Sequence, residues 1–297
     1  MQESLDLVTL NFNKDSLFLL NICLAFIMFG VAIELKTDDF KILFKHPKAI
    51  FTGLVSQFIL LPAITFLLVW IIEPTAGIAL GMILVAACPG GNVSNFFSIL
   101  SKGNVALSVS ITAIASSLAV ILTPLNFTFW AGLYEPTNKL LKSVSLDVYG
   151  IVITIIFVLL IPLVMGMWVN HTNPTFTKKY SSIIRKISVL IFSAFVVIGL
   201  ASNFDYFINY IHIILLIVLA HNALAFVTGY STGLLIGLSE KDKRSVAIET
   251  GIQNSGLALV LIFDFFNGLG SMAIVAAWWG IWHLIAGFTL SWYWSKK

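Results

Sequence analysis

Apolar residues fall in nine stretches along the chain, separated by short polar segments. They lie at about 16–35, 48–72, 75–101, 104–133, 145–169, 182–201, 207–238, 243–266 and 269–294, and a helix needs about 20 apolar residues to cross the hydrocarbon core. The pattern predicts an all-α integral membrane protein with nine transmembrane helices. The fourth and seventh stretches are long enough to tilt or to protrude. The third and eighth are interrupted. The third carries Cys88-Pro89-Gly90-Gly91-Asn92-Val93-Ser94-Asn95 in its middle, and the eighth carries Glu249-Thr250-Gly251-Ile252-Gln253-Asn254-Ser255-Gly256. Proline removes a backbone donor and glycine weakens a helix. In lipid each freed backbone group costs several kcal/mol unless something satisfies it. Both breaks are therefore expected to line a protein-walled cavity. One interrupted helix in each half is the pattern of a secondary transporter with its site near the midplane.

Lysine and arginine set the expected orientation. Every basic residue except Lys14, Lys139 and Lys142 falls on alternate loops: Lys36, Lys41, Lys45 and Lys48; Lys102; Lys178, Lys179, Arg185 and Lys186; Lys241, Lys243 and Arg244; and Lys296 and Lys297. This places the N-terminus outside and the C-terminus in the cytoplasm. The halves share an outline: a Lys-rich linker, an unbroken span, an interrupted span and a final span. Spans two to four answer to spans seven to nine, and the interrupted spans run in opposite directions, as an inverted repeat requires.

Composition narrows the class. The chain is 59% hydrophobic and 10% charged, whereas a soluble domain carries about 25% charge. The net charge of +3 is then a topology signal, and no nucleic-acid partner is implied. Residues 1–15 carry Glu3, Asp6 and Asp15 and lack the basic start of a signal peptide, so the first apolar stretch is expected to be a retained helix. Cys23 and Cys88 both lie in apolar stretches, and two isolated cysteines suggest neither a disulfide nor a metal site. No H-E-x-x-H or Walker A pattern occurs, which speaks against a zinc protease and an ATP-driven pump.

Glu249 is the acidic residue placed well inside an interrupted span, and a charge at that depth marks function by default. The bland alternative is a solvated carboxylate near the cytoplasmic end of span eight. Gln253, Asn254 and Ser255 follow it; a carboxylate beside amide, hydroxyl and freed carbonyl oxygens suits a hard cation such as Na⁺. Ser108 and Thr112 stand one turn apart on a shared helix face, either packing or completing an oxygen cage with Ser94 and Asn95. Gln57 is an amide in an apolar run, equally suited to an interhelical hydrogen bond. Asn92 and Asn254 begin the second half-helices, whose unpaired N–H groups could cradle an anion without Lys or Arg. His283 could face the cavity or pack. His221 and Asn222 read better as packing residues. Gly229, Gly233 and Gly237 form a small-residue stripe that reads as close helix packing. The match of 229–233 to G-x-S-x-G lacks the strand-to-helix turn a nucleophile elbow needs.

At these residues the sequence resembles the bile acid:sodium symporter family. The likeness runs from Phe29-Gly30 and Phe44-Lys45-His46-Pro47-Lys48 to Trp282-His283, and is most specific at 88–95, at Gly103-Asn104-Val105-Ala106-Leu107-Ser108 and at 249–256. The resemblance implies two crossed, discontinuous helices in a core domain (about 48–133 and 207–294) beside a panel domain (about 16–35 and 145–201). It implies two Na⁺ sites. The first would use Ser94, Asn95, Ser108, Thr112 and Glu249; the second would use Gln57, Glu249, Gln253 and the carbonyls of Thr250 and Ile252. Asn92, Asn254 and His283 match substrate-cavity positions. Two departures bear on this: the nine-span form is like the animal members, and position 284 is Leu where bile-acid-binding bacterial relatives have Asn. Together these features lead us to expect a Na⁺-coupled symporter of small organic anions, of pantoate or 2-oxo acid type. The bacterial cell membrane is its expected location, and neither an enzyme activity nor a protein partner is implied. The rivals are a bile acid symporter, a proton- or metalloid-coupled carrier using Cys88, and a receptor or scaffold that binds without transporting.

Overall fold

The computed structural model describes residues 14–35, 47–91, 93–202 and 204–296. Over these residues each apolar stretch is helical, the third and eighth in two pieces. In chain order the helices are α1 (Lys14–Ala32), α2 (Pro47–Ile72), α3 (Ala76–Ala87), α4 (Ser94–Leu100), α5 (Val105–Leu133), α6 (Glu135–Val144), α7 (Val148–Thr172), α8 (Pro174–Ser202), α9 (Phe204–Leu235), α10 (Glu240–Gly251), α11 (Ser255–Phe265) and α12 (Gly270–Ser295). Five helical segments are long and apolar enough to cross a membrane: Pro47–Ile72, Val105–Leu133, Val148–Thr172, Ile214–Leu235 and Gly270–Ser295. The protein is an integral membrane protein built of helices.

The half-helices α3 and α11 form the centre. From Gly77 to Ala87, and from Ser255 to Phe263, every residue is buried. Around them α2, α5 and α12 present one face inward and another to the surroundings. On α2, for example, Phe51, Ile59, Leu67, Trp70 and Ile71 are exposed apolar side chains, as a lipid-facing surface requires. Helix α12 packs on α3, α11, α9 and α4, while α5 packs on α3, α4 and α10. Both pieces of the first interrupted helix therefore rest on the same two long neighbours, α5 and α12.

Two long helices carry a π-turn, Ser56–Leu60 in α2 and Ile156–Leu160 in α7. Each stands just before a proline in the next turn, Pro62 and Pro162. Proline lacks the N–H that the preceding turn would accept and its ring crowds the carbonyl four residues back; a wider turn relieves both. In α2 this turn holds Ser56 and Gln57, both buried.

Three features differ from the sequence reading. Residues Glu135–Val144 form α6, where only a connection was expected. Pro136 starts it, a Glu135–Lys139 pair at 2.7 Å supports its exposed side, and Leu140, Leu141 and Val144 pack on the core. Helix α8 begins at Pro174, so Lys178, Lys179, Arg185 and Lys186 belong to a helix rather than a linker. In the glycine stripe, Gly229 and Gly233 do meet α10, but Gly237 meets nothing; its φ of +74° instead ends α9, with Leu238 N–H bonded to Gly233 O at 2.9 Å. Lys36, Lys41 and Lys45, like residues 1–13, lie outside the described residues.

The α9–α10 contact gives a stability prediction. A Cβ on Gly229 would stand 2.6 Å from Ala247 Cα and 2.7 Å from Val246 O, both backbone, whereas one on Gly132 would meet nothing within 4 Å. Gly229→Ala should cost about 1–3 kcal/mol through overpacking and lower the melting temperature of detergent-purified protein. Gly132→Ala, inside α5, should hold or raise it, since alanine is favoured over glycine in a helix by roughly 0.5–1 kcal/mol.

Candidate functional site

Helix α3 stops because Cys88 precedes a proline. A residue in that position is pushed out of the helical region, and Cys88 adopts φ −70°, ψ 156°. Helix α10 stops at Ile252 with φ −103°, ψ 95°. The two extended breaks then pair with each other. Gly91 N–H donates to Ile252 O at 2.7 Å, Asn254 N–H donates to Pro89 O at 2.9 Å, and Gly90 faces Gln253 as an antiparallel bridge. Glycine is needed here for space rather than for φ. A Cβ on Gly91 would lie 2.9 Å from Gln253 O, and one on Gly90 would lie 2.9 Å from a Glu249 carboxylate oxygen.

Side chains satisfy the carbonyls that the breaks release. Gln57 Nε2 donates to Cys88 O at 2.9 Å, Gln253 Nε2 to Thr250 O at 2.7 Å, and Asn222 Nδ2 to Gly251 O at 2.7 Å. Gln57 Nε2 also reaches Gln253 Oε1 at 2.8 Å, and the Ser56 and Thr250 hydroxyls lie 2.9 Å apart. Gln57 Oε1 is buried and has no partner among the described residues.

Glu249 lies beside this crossing and is 1% exposed. Its Oε1 accepts from Ser94 Oγ at 2.5 Å and from Ser108 Oγ, and its Oε2 accepts from Thr112 Oγ1 at 2.8 Å. Asn95 Oδ1 lies 2.9 Å from Ser108 Oγ and 3.3 Å from Thr112 Oγ1, and Ser98 Oγ lies 3.0 Å from Ser108 Oγ. A hydroxyl has one proton to donate. Ser108 is within reach of both the Glu249 and Asn95 oxygens, and Thr112 of those two and of Ser108 O at 3.0 Å. The cluster thus holds more oxygen acceptors than protons to share among them. No basic side chain among the described residues pairs with Glu249. A buried carboxylate without a counter-charge is costly, and an oxygen-rich, proton-poor cage around it suits a hard cation.

The structure brings together Ser94, Asn95, Ser108, Thr112 and Glu249 in one cluster, and Gln57, Thr250, Ile252 and Gln253 at the crossing next to it. Asn92 lies outside the described residues. Asn254 caps its own helix, its Oδ1 accepting from Leu257 N–H at 3.0 Å. Ser94 N–H and Ser255 N–H are also taken, by Gly91 O and Gln253 O. The free N–H cradle expected at the half-helix starts is therefore smaller than the sequence suggested, because the breaks consume their own donors. His283 is buried on the α12 face that carries Gly280 and Gly287, which abut Ser255 and Ile252. Its Nδ1 has no partner among the described residues. Leu284 is exposed along with Phe288 and Trp292, one and two turns on. His221 is a packing residue as expected, bonded to Thr65 at 2.6 Å and edge-on to Trp279.

Sequence reasoning missed Ser98, Ser56 and the role of Asn222. Ser98 had a signal, since it stands one turn after Ser94 on α4. Ser56 had none, because its direction depends on the π-turn. A further tie lies at the far end of the same helices. Arg244, buried although read as a loop charge, donates from Nη1 to Ser101 O at 2.9 Å and to Trp294 O at 3.1 Å. Asn104 Nδ2 donates to Asp242 at 2.7 Å, and Ser245 Oγ to Asn104 O at 2.9 Å. These bonds join the ends of α4 and α12 to the starts of α5 and α10. At the same end, a hydrogen bond from Lys243 holds the Glu240 carboxyl below its ordinary range.

Residues 21–210 match the family model described as the sodium bile acid symporter family. The chain is 32% identical over 293 residues to a protein of Bacillus subtilis (strain 168) named an uncharacterized sodium-dependent transporter, covering 97% of this chain and 88% of that one. It is 30% identical over 250 residues to a probable sodium/metabolite cotransporter of chloroplasts in Oryza sativa subsp. japonica, covering 84% of this chain and 57% of that one. It is also 30% identical over 272 residues to one in Arabidopsis thaliana, covering 91% and 65%. The chain thus spans less than two thirds of the length of these two plant relatives. The family and these relatives are transporters rather than enzymes, and the chain belongs to the sodium bile acid symporter family.

Proposed function

We propose that this protein is a Na⁺-coupled symporter of small organic anions. The observation that carries the reading is the buried Glu249 carboxylate with Ser94, Ser108, Thr112 and Asn95 around it, rich in oxygen and poor in protons. One Na⁺ would sit there. The hydroxyls that donate to Glu249 also carry lone pairs, so each can turn its oxygen to the ion without moving its backbone. A second Na⁺ would sit at the crossing, held by Gln57, Glu249, Gln253 and the carbonyls of Thr250 and Ile252. The unpartnered Gln57 Oε1 supports this, and each carbonyl retains a second lone pair.

Coupling would follow from shared parts. Glu249 belongs to α10, Ser94 and Asn95 to α4, and Ser108 and Thr112 to α5, so a bound cation draws both breaks into one arrangement. The substrate anion would bind against that arrangement, with Asn254, His283 and Asn92 as polar partners. Few free donors favour a single carboxylate on a small body, as in pantoate or a 2-oxo acid. The plant relatives' description as metabolite cotransporters supports a small substrate. Alternating access would move a core (about 48–133 and 207–294) against a panel (about 16–35 and 145–201), with nine spans built as an inverted repeat. We place the protein in the bacterial cell membrane with its N-terminus outside.

Glu249→Gln separates folding from coupling. The amide can still accept at one oxygen and donate to Thr112, so the variant should melt close to wild type in Na⁺-free buffer. It should nonetheless lose Na⁺-dependent uptake of labelled pantoate or 2-oxo acids in proteoliposomes by at least about tenfold, the scale of losing a ligand interaction worth about 1.4 kcal/mol or more. Uptake by the variant with unchanged Na⁺ dependence would refute the shared site, and taurocholate outcompeting every small carboxylate would move bile acids to first place.

The orientation has its own check. Cysteines placed at Glu135 and Asn267 should react with impermeant thiol reagents added outside intact cells, and one at Lys241 should react only after permeabilisation. Reversed labelling would overturn this orientation.

A further inference from the structure

Each break is held by a carboxamide from an unbroken helix. At the first, Gln57 of α2 donates to Cys88 O, the residue after α3 ends; at the second, Asn222 of α9 donates to Gly251 O, the last residue of α10. Helices α2 and α9 hold matching places in the two halves. The likeness extends to the other end of each amide, because Gln57 Oε1 and Asn222 Oδ1 are both buried without a partner among the described residues.

Asn222 is fully buried. A buried oxygen left unpaired costs about 1–3 kcal/mol, and leucine would fill a similar volume without that cost. What the position gains from asparagine is the N–H donor. In a continuous helix Gly251 O would accept from Ser255 N–H, but here Ser255 N–H turns to Gln253 O at 3.0 Å. Asn222 supplies the missing donor. Phe226, one turn on along the same face of α9, packs its ring against Gly251 where a side chain would stand. Asn222 is itself anchored, since its neighbour His221 is bonded to Thr65 on α2.

We propose that Asn222 is a positioning residue for the second cation site. By holding Gly251 O it sets the peptide planes on either side, and with them the directions of the Thr250 and Ile252 carbonyls. Without the donor, Gly251 O turns toward Ser255 N–H or water and takes the flanking carbonyls out of register. Groups that orient a metal's ligands typically affect affinity by roughly 10–100-fold. This inference rests on the sodium-symport reading above.

The test uses the full chain in detergent and Na⁺ alone. NaCl is titrated against choline chloride at constant ionic strength, and the half-saturating Na⁺ concentration is read from the rise in melting temperature. Asn222→Leu and Asn222→Asp, which both remove the amide donor, should raise it by roughly tenfold or more. Asn222→Gln, which keeps a carboxamide donor, should raise it less than either. A residue with only a packing role would lower the melting temperature in Na⁺-free buffer and leave the Na⁺ midpoint in place; a midpoint within twofold of wild type in a folded Leu or Asp variant overturns the proposal. If the wild-type protein itself shows no Na⁺-dependent stabilisation, the cation-site reading fails first, and this inference with it.

Discussion

Two backbone hydrogen bonds, from Gly91 N–H to Ile252 O and from Asn254 N–H to Pro89 O, hold the centre of this protein together. Within a bilayer, an interrupted helix cannot turn to water for the groups it frees. Laying one break across another settles part of that demand on both chains at once. Further carbonyls are met by amides reaching in from α2 and α9 and by Gln253 of the second break. The arrangement needs a proline to stop α3 and glycines where the chains touch, and both are present at 89–91. Long helices packed around the crossing then bury α3 and α11 almost completely.

The same crossing explains how one carboxylate can be tolerated at depth. Glu249 ends up against Gly90 with three hydroxyls in hydrogen-bond contact, which lowers the cost of burial without neutralising the charge. Under the proposed function a Na⁺ ion would offset it. The residues proposed as its ligands come from α4 and α10, which flank the breaks, and from α5 beside them, so under the proposed function occupancy of the site would be linked to the geometry of the breaks. Arg244 and Asn104 tie the far ends of the same helices together.

The helices, the two breaks and the residue types at them could be read from the chain alone, because each is a local property. Lipid demands long apolar runs, and Pro-Gly-Gly or Gly-Ile-Gln-Asn within such a run breaks the backbone wherever it stands. Ser108 and Thr112 could be paired by helical spacing, and Glu249 stood out by charge against an apolar background. What the chain could not disclose is which breaks meet and what each polar atom faces. Asn254 looked like an anion partner, and its Oδ1 also caps α11. Asn222 looked like packing and instead holds Gly251 O. Ser56 points to Thr250 only because Pro62 opens a π-turn. The Asn222 and Ser56 outcomes depend on contacts between residues 29 and 194 positions apart, set by competition for a limited number of donors in a dry interior. Spacing along one helix carries no record of that competition, so tertiary structure alone decided it.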